Sequence, residues 1–293
     1  MLHPSRLVGA VFAARRRLSG LRLDELRTGR FRMPALVGGP PTQRVPVVMV
    51  HGFTDTKDSF VDTARLLTPT HRVILPDLPG FSGASQPLDH CYSVHSTAAL
   101  LAEALHERAP EGIHLVGNSL GGAVAACMAL ERGAWVRSLT LIGALGVRMP
   151  RPSALQHHMQ AGLSPFGLRG EEDYAGFLRF VLERVPPMPG FVVRQMARAQ
   201  LARGAMNDKI MADLLDEGLD LTARLPEIKV PTMVLWGDCD RLIDLSAGRV
   251  FHQGIADAKL VVLSGIGHCP QVEAPRATAR RIRDTVARAQ PEA

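Results

Sequence analysis

Ser119, Asp240 and His268 are the residues whose types and surroundings could carry acyl-transfer chemistry. Ser119 sits in Gly117-Asn118-Ser119-Leu120-Gly121-Gly122, between the apolar run Ile113–Val116 and the helix-forming Ala123–Ala129. This is G-x-S-x-G in a strand–turn–helix setting, where a strained turn lifts the hydroxyl above the strand ends. The helix that follows aims its N-terminal N–H groups at the charge that develops there. A serine hydroxyl is a weak nucleophile and needs an adjacent base. His268, in Gly267-His268-Cys269-Pro270 just after the last apolar run, is the expected base. His51 falls in an early loop, His114 inside a strand and His157-His158 in a helical stretch, and these fit the role less well.

An acid must hold that imidazole. The stretch Trp236-Gly237-Asp238-Cys239-Asp240-Arg241-Leu242-Ile243-Asp244 offers three aspartates. Asp244 begins a helix and is expected to cap it, while Asp238 follows the strand-ending glycine and is expected to fix the turn. Asp240, furthest into the loop, is the choice for the acid that orients His268 and stabilises its charged form. The anion hole is expected from the backbone N–H groups of Phe53, in His51-Gly52-Phe53-Thr54, and of Leu120. His51 is read as bracing that loop, with the Phe53 ring walling the pocket.

These residues need a rigid frame, and the pattern supplies one. Val45–Val50, Arg72–Leu75, Ile113–Val116, Ser138–Ile142, Thr232–Trp236 and Leu260–Leu263 read as strands apolar on both faces, as in a parallel sheet covered on each side. Ser59–Leu67, Val94–Arg108, Leu120–Arg132, Ala247–Gln253 and Arg276–Ala289 read as the covering helices. Leu21–Leu26 and Phe31–Leu36 add an antiparallel edge. The expectation is a doubly wound, mostly parallel eight-stranded α/β sheet. Between about Val147 and Ile228 no strand is evident, only proline-punctuated helical pieces carrying Met and Phe. The predicted organisation is an N-terminal amphipathic helix over 1–20, a core of 21–146 and 229–293, and a helical cap over 147–228. Met159, Phe166, Phe177 and Phe180 are the cap residues expected to join Phe53 in lining a pocket.

The composition, 46% apolar and 21% charged, is that of a soluble globular chain. The net charge of +6 comes from scattered arginines with no aromatic interleaving, so no nucleic-acid partner is expected. No apolar run is long enough to span a bilayer. In the first 20 residues the positive cluster follows the apolar stretch, the reverse of a secretory signal. That helix is expected to pack on the domain, with weak contact to a membrane surface as the alternative; the expected location is cytoplasmic or membrane-peripheral. Cys91, Cys127, Cys239 and Cys269 show no metal-type spacing and are expected as reduced thiols, although the loops of Cys239 and Cys269 could meet.

His51-Gly52-Phe53, Asp77-Leu78-Pro79-Gly80-Phe81, Gly117-Asn118-Ser119-Leu120-Gly121-Gly122, Trp236-Gly237-x-x-Asp240 and Gly267-His268 together resemble the capped α/β-hydrolases over about residues 21–288. The order serine, acid, histidine is that of this fold. Lys229-Val230-Pro231-Thr232 and Glu273-Ala274-Pro275-Arg276 look like the monoacylglycerol-lipase branch and the bacterial family V lipases. The resemblance implies carboxylester hydrolysis through an acyl-enzyme, without cofactor or metal, on a small ester whose apolar acyl chain lies beneath the cap. It departs at Phe81-Ser82-Gly83-Ala84-Ser85, where relatives have a shorter loop. Two alternatives stay open on this fold: cleavage of a carbon–carbon bond in a β-diketone-type substrate, which Arg169, Arg179 and Arg194 would suit, and a non-catalytic ligand-binding role.

Overall fold

The computed structural model describes residues 4–163 and 166–289. Eight strands form one sheet: β1 Leu21–Thr28, β2 Phe31–Gly38, β3 Val47–Val50, β4 Val73–Pro76, β5 Ile113–Asn118, β6 Val136–Ile142, β7 Thr232–Gly237 and β8 Ala258–Leu263. Their order is β1-β2-β4-β3-β5-β6-β7-β8. β1 and β2 pair antiparallel and β2 meets β4 antiparallel; the remaining pairs are parallel. The helices are α1 Pro4–Leu18, α2 Val61–Arg65, α3 Val94–His106, α4 Leu120–Arg132, α5 Ala154–Gln160, α6 Asp173–Val181, α7 Gly190–Leu201, α8 Gly204–Glu217, α9 Leu245–Gly254, α10 Pro270–Glu273 and α11 Pro275–Arg288.

Alternation along the central strands sorts their side chains into two cores. Val48, Val50, Leu115, Leu139, Leu141, Val234 and Trp236 pack with α3, α4 and α9. Val47, Met49, Val116, Ile142, Met233 and Leu235 pack on the other face with α2 and α11. This double coverage is why those strands read as continuous apolar runs. β8 is the exception: it lies at the sheet edge, and none of its residues is fully buried. The stretch expected as one helix over Ser59–Leu67 is a 3-10 turn, Lys57–Phe60, followed by the short α2.

Three ion pairs brace this part of the molecule. Lys57 donates to the Asp77 carboxylate at 2.5 Å with both side chains nearly inaccessible. The basic end of α1 is held as well, by Arg15 on Asp62 at 2.8 Å and Arg16 on Asp58 at 2.5 Å. α1 lies against α7 and β1 and buries Val8, while Leu7, Val11 and Leu18 stay exposed. Residues 1–3 of the expected N-terminal helix lie outside the described residues. Among the described residues, no helix is long and apolar enough to cross a membrane.

His114 makes one consequence of this packing measurable. It is buried in β5, hydrogen-bonded to the Ser138 hydroxyl at 2.9 Å, and burial pushes its imidazole down to about 4. The unfolded chain binds its proton near pH 6.5, so below that pH the unfolded state takes up protons that the native state refuses. Stability from this group is therefore complete above pH 6.5 and falls as pH drops towards 4, by about 3 kcal/mol in all. Urea unfolding of the protein and of His114→Gln across this window checks it: the wild type should lose more stability than the variant.

Candidate active site

The loops after β3, β5, β7 and β8 meet at the C-terminal ends of the parallel strands, where open α/β sheets bind ligands. Ser119 occupies the turn from β5 into α4 with φ 57° and ψ −119°. That positive φ is sparsely populated for a side-chain-bearing residue and stores strain of about 1–3 kcal/mol. The turn closes only because its flanking glycines have no Cβ. A Cβ at Gly117 would sit 2.1 Å from the Gly121 carbonyl oxygen, and one at Gly121 would sit 2.4 Å from the carbonyl oxygens of Val50 and His51. The elbow is thereby pressed against the loop after β3.

Of the three aspartates after β7, only Asp240 reaches the histidine: the His268 Nδ1 to Asp240 Oδ2 distance is 2.8 Å. Its other oxygen, Oδ1, accepts the backbone N–H groups of Leu242 at 2.9 Å and Ile243 at 3.0 Å. Asp244 caps α9 by accepting the Ser246 N–H. Asp238 accepts the Ser264 hydroxyl and the Gly265 N–H, and these bonds hold its carboxyl below the usual carboxylate range. Ser119 is 7% exposed and His268 3%. His268 Nε2 is buried with no hydrogen-bond partner among the described residues. Nor, among those residues, does any acceptor take the N–H of Phe53 or Leu120. The site thus presents an oriented imidazole with a free nitrogen, a strained serine, and two free N–H donors on neighbouring loops.

Asn118, Gln271 and Glu273 also shape this site, and residue-by-residue reasoning missed them. The Asn118 amide donates to the carbonyls of Ile142 at 3.0 Å and His268 at 3.1 Å, and it accepts from Gln271 at 3.0 Å. The residue before the serine therefore fixes the backbone of the histidine loop. Glu273 accepts the N–H groups of Gly267, Glu183 and Arg184. Its place in the Glu-Ala-Pro stretch five residues after His268 was the available signal. His51 is fully buried; its Nε2 accepts the Leu78 N–H at 3.0 Å, and its Nδ1 lies 2.8 Å from the Gly52 carbonyl.

Helices α5 to α8, between β6 and β7, are hydrogen-bonded to three of the four loops of the site, those after β7, β8 and β3. Leu155 N–H donates to the Arg241 carbonyl, His268 N–H to the Val181 carbonyl, and the Gln200 amide to the Thr54 carbonyl. Phe166 and Phe177 border a cavity of about 100 Å³ together with Thr54, Leu168, Gln200 and Leu201. The Phe53 ring packs edge-on against Phe166 and Phe81. Phe180 packs instead on His158, and Met159 is 45% exposed; neither borders that cavity. Arg169, Arg179 and Arg194 lie on the surface. All four cysteines are free; Cys239 contacts the Asp238 carboxylate, and Cys269 is buried beside Asn118.

Comparison with known proteins agrees with this architecture. The family model for the alpha/beta hydrolase fold matches residues 45–275. Lipase 1 of Psychrobacter immobilis is 30% identical over 80% of this chain and 74% of its own length. Monoacylglycerol lipase abhd6-A of Xenopus laevis is 25% identical over 97% of this chain and 88% of its own. A crystal structure of a membrane phospholipase A, described as a bacterial virulence factor, superposes with a TM-score of 0.95 at 32% identity, covering 99% of this chain and 93% of that one.

Proposed function

The chain belongs to the α/β-hydrolase fold family, and from that premise we propose that it hydrolyses carboxylic esters of lipid type, with Ser119 as nucleophile, His268 as base and Asp240 as orienting acid. The observation that carries this reading is the 2.8 Å His268–Asp240 hydrogen bond, with His268 Nε2 left unpartnered beside the strained elbow. In the first step His268 Nε2 takes the Ser119 proton as Oγ attacks the ester carbonyl. The Phe53 and Leu120 N–H groups hold the oxyanion, each such donor contributing about 3–4 kcal/mol in the transition state. His268 then gives the proton to the leaving alcohol, and a water deprotonated by the same nitrogen releases the acid. No metal or cofactor is required.

Residues 147–228 act as the cap over this site, and the apolar rings of Phe53, Phe166 and Phe177 receive the acyl chain. The lipases among its relatives support a lipid ester as substrate. The surface positions of Arg169, Arg179 and Arg194 favour an ester over an acidic carbon–carbon substrate, which would need such charges inside. Assay of p-nitrophenyl and glyceryl esters from short to long acyl chains, with a monoacylglycerol and a vinylogous β-diketone included, tests the proposal. Ester hydrolysis without diketone cleavage is expected; cleavage of the diketone and of no ester overturns it.

A further inference from the structure

A second group of reactive side chains lies on the far part of α4, remote from the elbow. Cys127 and Glu131 are four residues apart and so share one face of that helix. His95, at the start of α3, comes alongside them. A ring nitrogen of His95, the Cys127 sulfur and a Glu131 carboxylate oxygen all lie within 4.8 Å of one another. Cys127 Sγ is 3.2 Å from Glu131 Oε1, and His95 Nε2 is 3.9 Å from the same oxygen. Zinc bonds of about 2.0–2.3 Å in tetrahedral geometry put ligand atoms roughly 3.3–3.6 Å apart. The two measured separations bracket that spacing, so small side-chain rotations would complete the set.

A fourth residue gives the cluster its direction. Glu217, the last residue of α8, accepts from His95 Nδ1 at 2.6 Å. Its carboxylate also takes the Val94 and His95 N–H groups at 2.7 and 3.2 Å. A carboxylate on one imidazole nitrogen fixes the proton there and leaves the other nitrogen as a lone-pair donor, which is how metal-binding histidines are characteristically held. The free nitrogen here is Nε2, and it faces Glu131. The side chain of Glu217 is mostly buried, whereas His95, 47% exposed, leaves a path from solvent.

We propose that His95 Nε2, Cys127 Sγ and the Glu131 carboxylate form a binding site for a zinc-class divalent cation, with Glu217 orienting the histidine and solvent as the fourth ligand. Zinc takes thiolate, imidazole and carboxylate together, whereas calcium and magnesium prefer all-oxygen sites. On binding, the metal–sulfur bond forms as the Cys127 S–H bond breaks and the proton leaves to solvent. Two carboxylates and one thiolate offset the cation's charge; Arg224, paired with Glu227 nearby, opposes it weakly. Cys127 lies eight residues along α4 from Ser119, about 12 Å at the helical rise, so the metal takes no part in ester chemistry. It would join the core helices α3 and α4 and, through Glu217, the end of α8.

The test uses the full chain, stripped with a chelator and titrated with Co²⁺ alone and then Zn²⁺ alone. One equivalent of Co²⁺ should give a sulfur-to-metal charge-transfer band, which Zn²⁺ then displaces. Cys127→Ser should abolish the band, and Glu217→Gln should weaken Zn²⁺ binding by about 10–100-fold. His95→Gln and Glu131→Gln should weaken it by at least as much, with circular dichroism confirming that each variant is folded. The absence of a one-to-one Co²⁺ band in the folded wild type overturns the proposal. So does a band that survives Cys127→Ser, since Cys91 or Cys239 would then be the ligand.

Discussion

Ester turnover by Ser119→Ala should fall by about 10⁶-fold, close to the loss seen when the nucleophile of a serine hydrolase is removed. The variant should fold normally. Alanine occupies the same positive-φ turn at the same backbone cost, and the Gly117 and Gly121 contacts that close the elbow do not involve the hydroxyl. What is lost is the attacking oxygen, while the Phe53 and Leu120 donors remain to give a small residual rate. Steady-state kinetics with a chromogenic ester measures the fall. Mass spectrometry after a fluorophosphonate probe should find the wild type labelled once, on the peptide carrying Ser119, and the variant unlabelled. Undiminished turnover in the variant would sink the assignment.

Asp240→Asn should lower kcat by about 10⁴-fold with KM nearly unchanged, and the surroundings of this aspartate explain why. Its Oδ1 is held by two backbone N–H donors, from Leu242 and Ile243. An asparagine must keep its carbonyl oxygen there, because its NH₂ would otherwise face two donors. The NH₂ is thereby turned towards His268 Nδ1, which must become the acceptor. The ring proton moves to Nε2, and the nitrogen that should take the serine proton can no longer do so. Asp238→Asn and Asp244→Asn should cost little activity, since their carboxylates serve a turn and a helix cap. If either of them shows the large kcat loss instead, the acid has been misassigned.

How far the sequence was legible depended on how local each signal was. The central strands were found because both of their faces are buried, and α4 was read residue for residue from the helix-forming run behind the elbow. The half-exposed β8 and the broken segment around α2 were less clear: one takes its pairing from the sheet edge, the other ends a helix after five residues. The loops carrying Ser119, Asp240 and His268 were legible because each follows a recognisable strand. The pocket was not. Its lining depends on how α5 to α8 turn about their axes, and spacing did not separate Phe166 and Phe177, which border the cavity, from Phe180 and Met159, which do not. Asn118 and Glu273 stood in motifs but carried no assigned role, because partners such as the His268 carbonyl and the Glu183 N–H are distant in the chain.

The grip of Glu273 has a mechanical meaning. One carboxylate clasps the N–H groups of Glu183 and Arg184 on the inserted segment and that of Gly267 beside the base, and the Val181 carbonyl takes the N–H of His268 itself. The chain leaving α6 and the imidazole are thus riveted to a common anchor. Any swing of the chain on that side would strip four amide protons of their acceptors and loosen His268 in the same movement. Entry and aim are geared together on that side of the molecule.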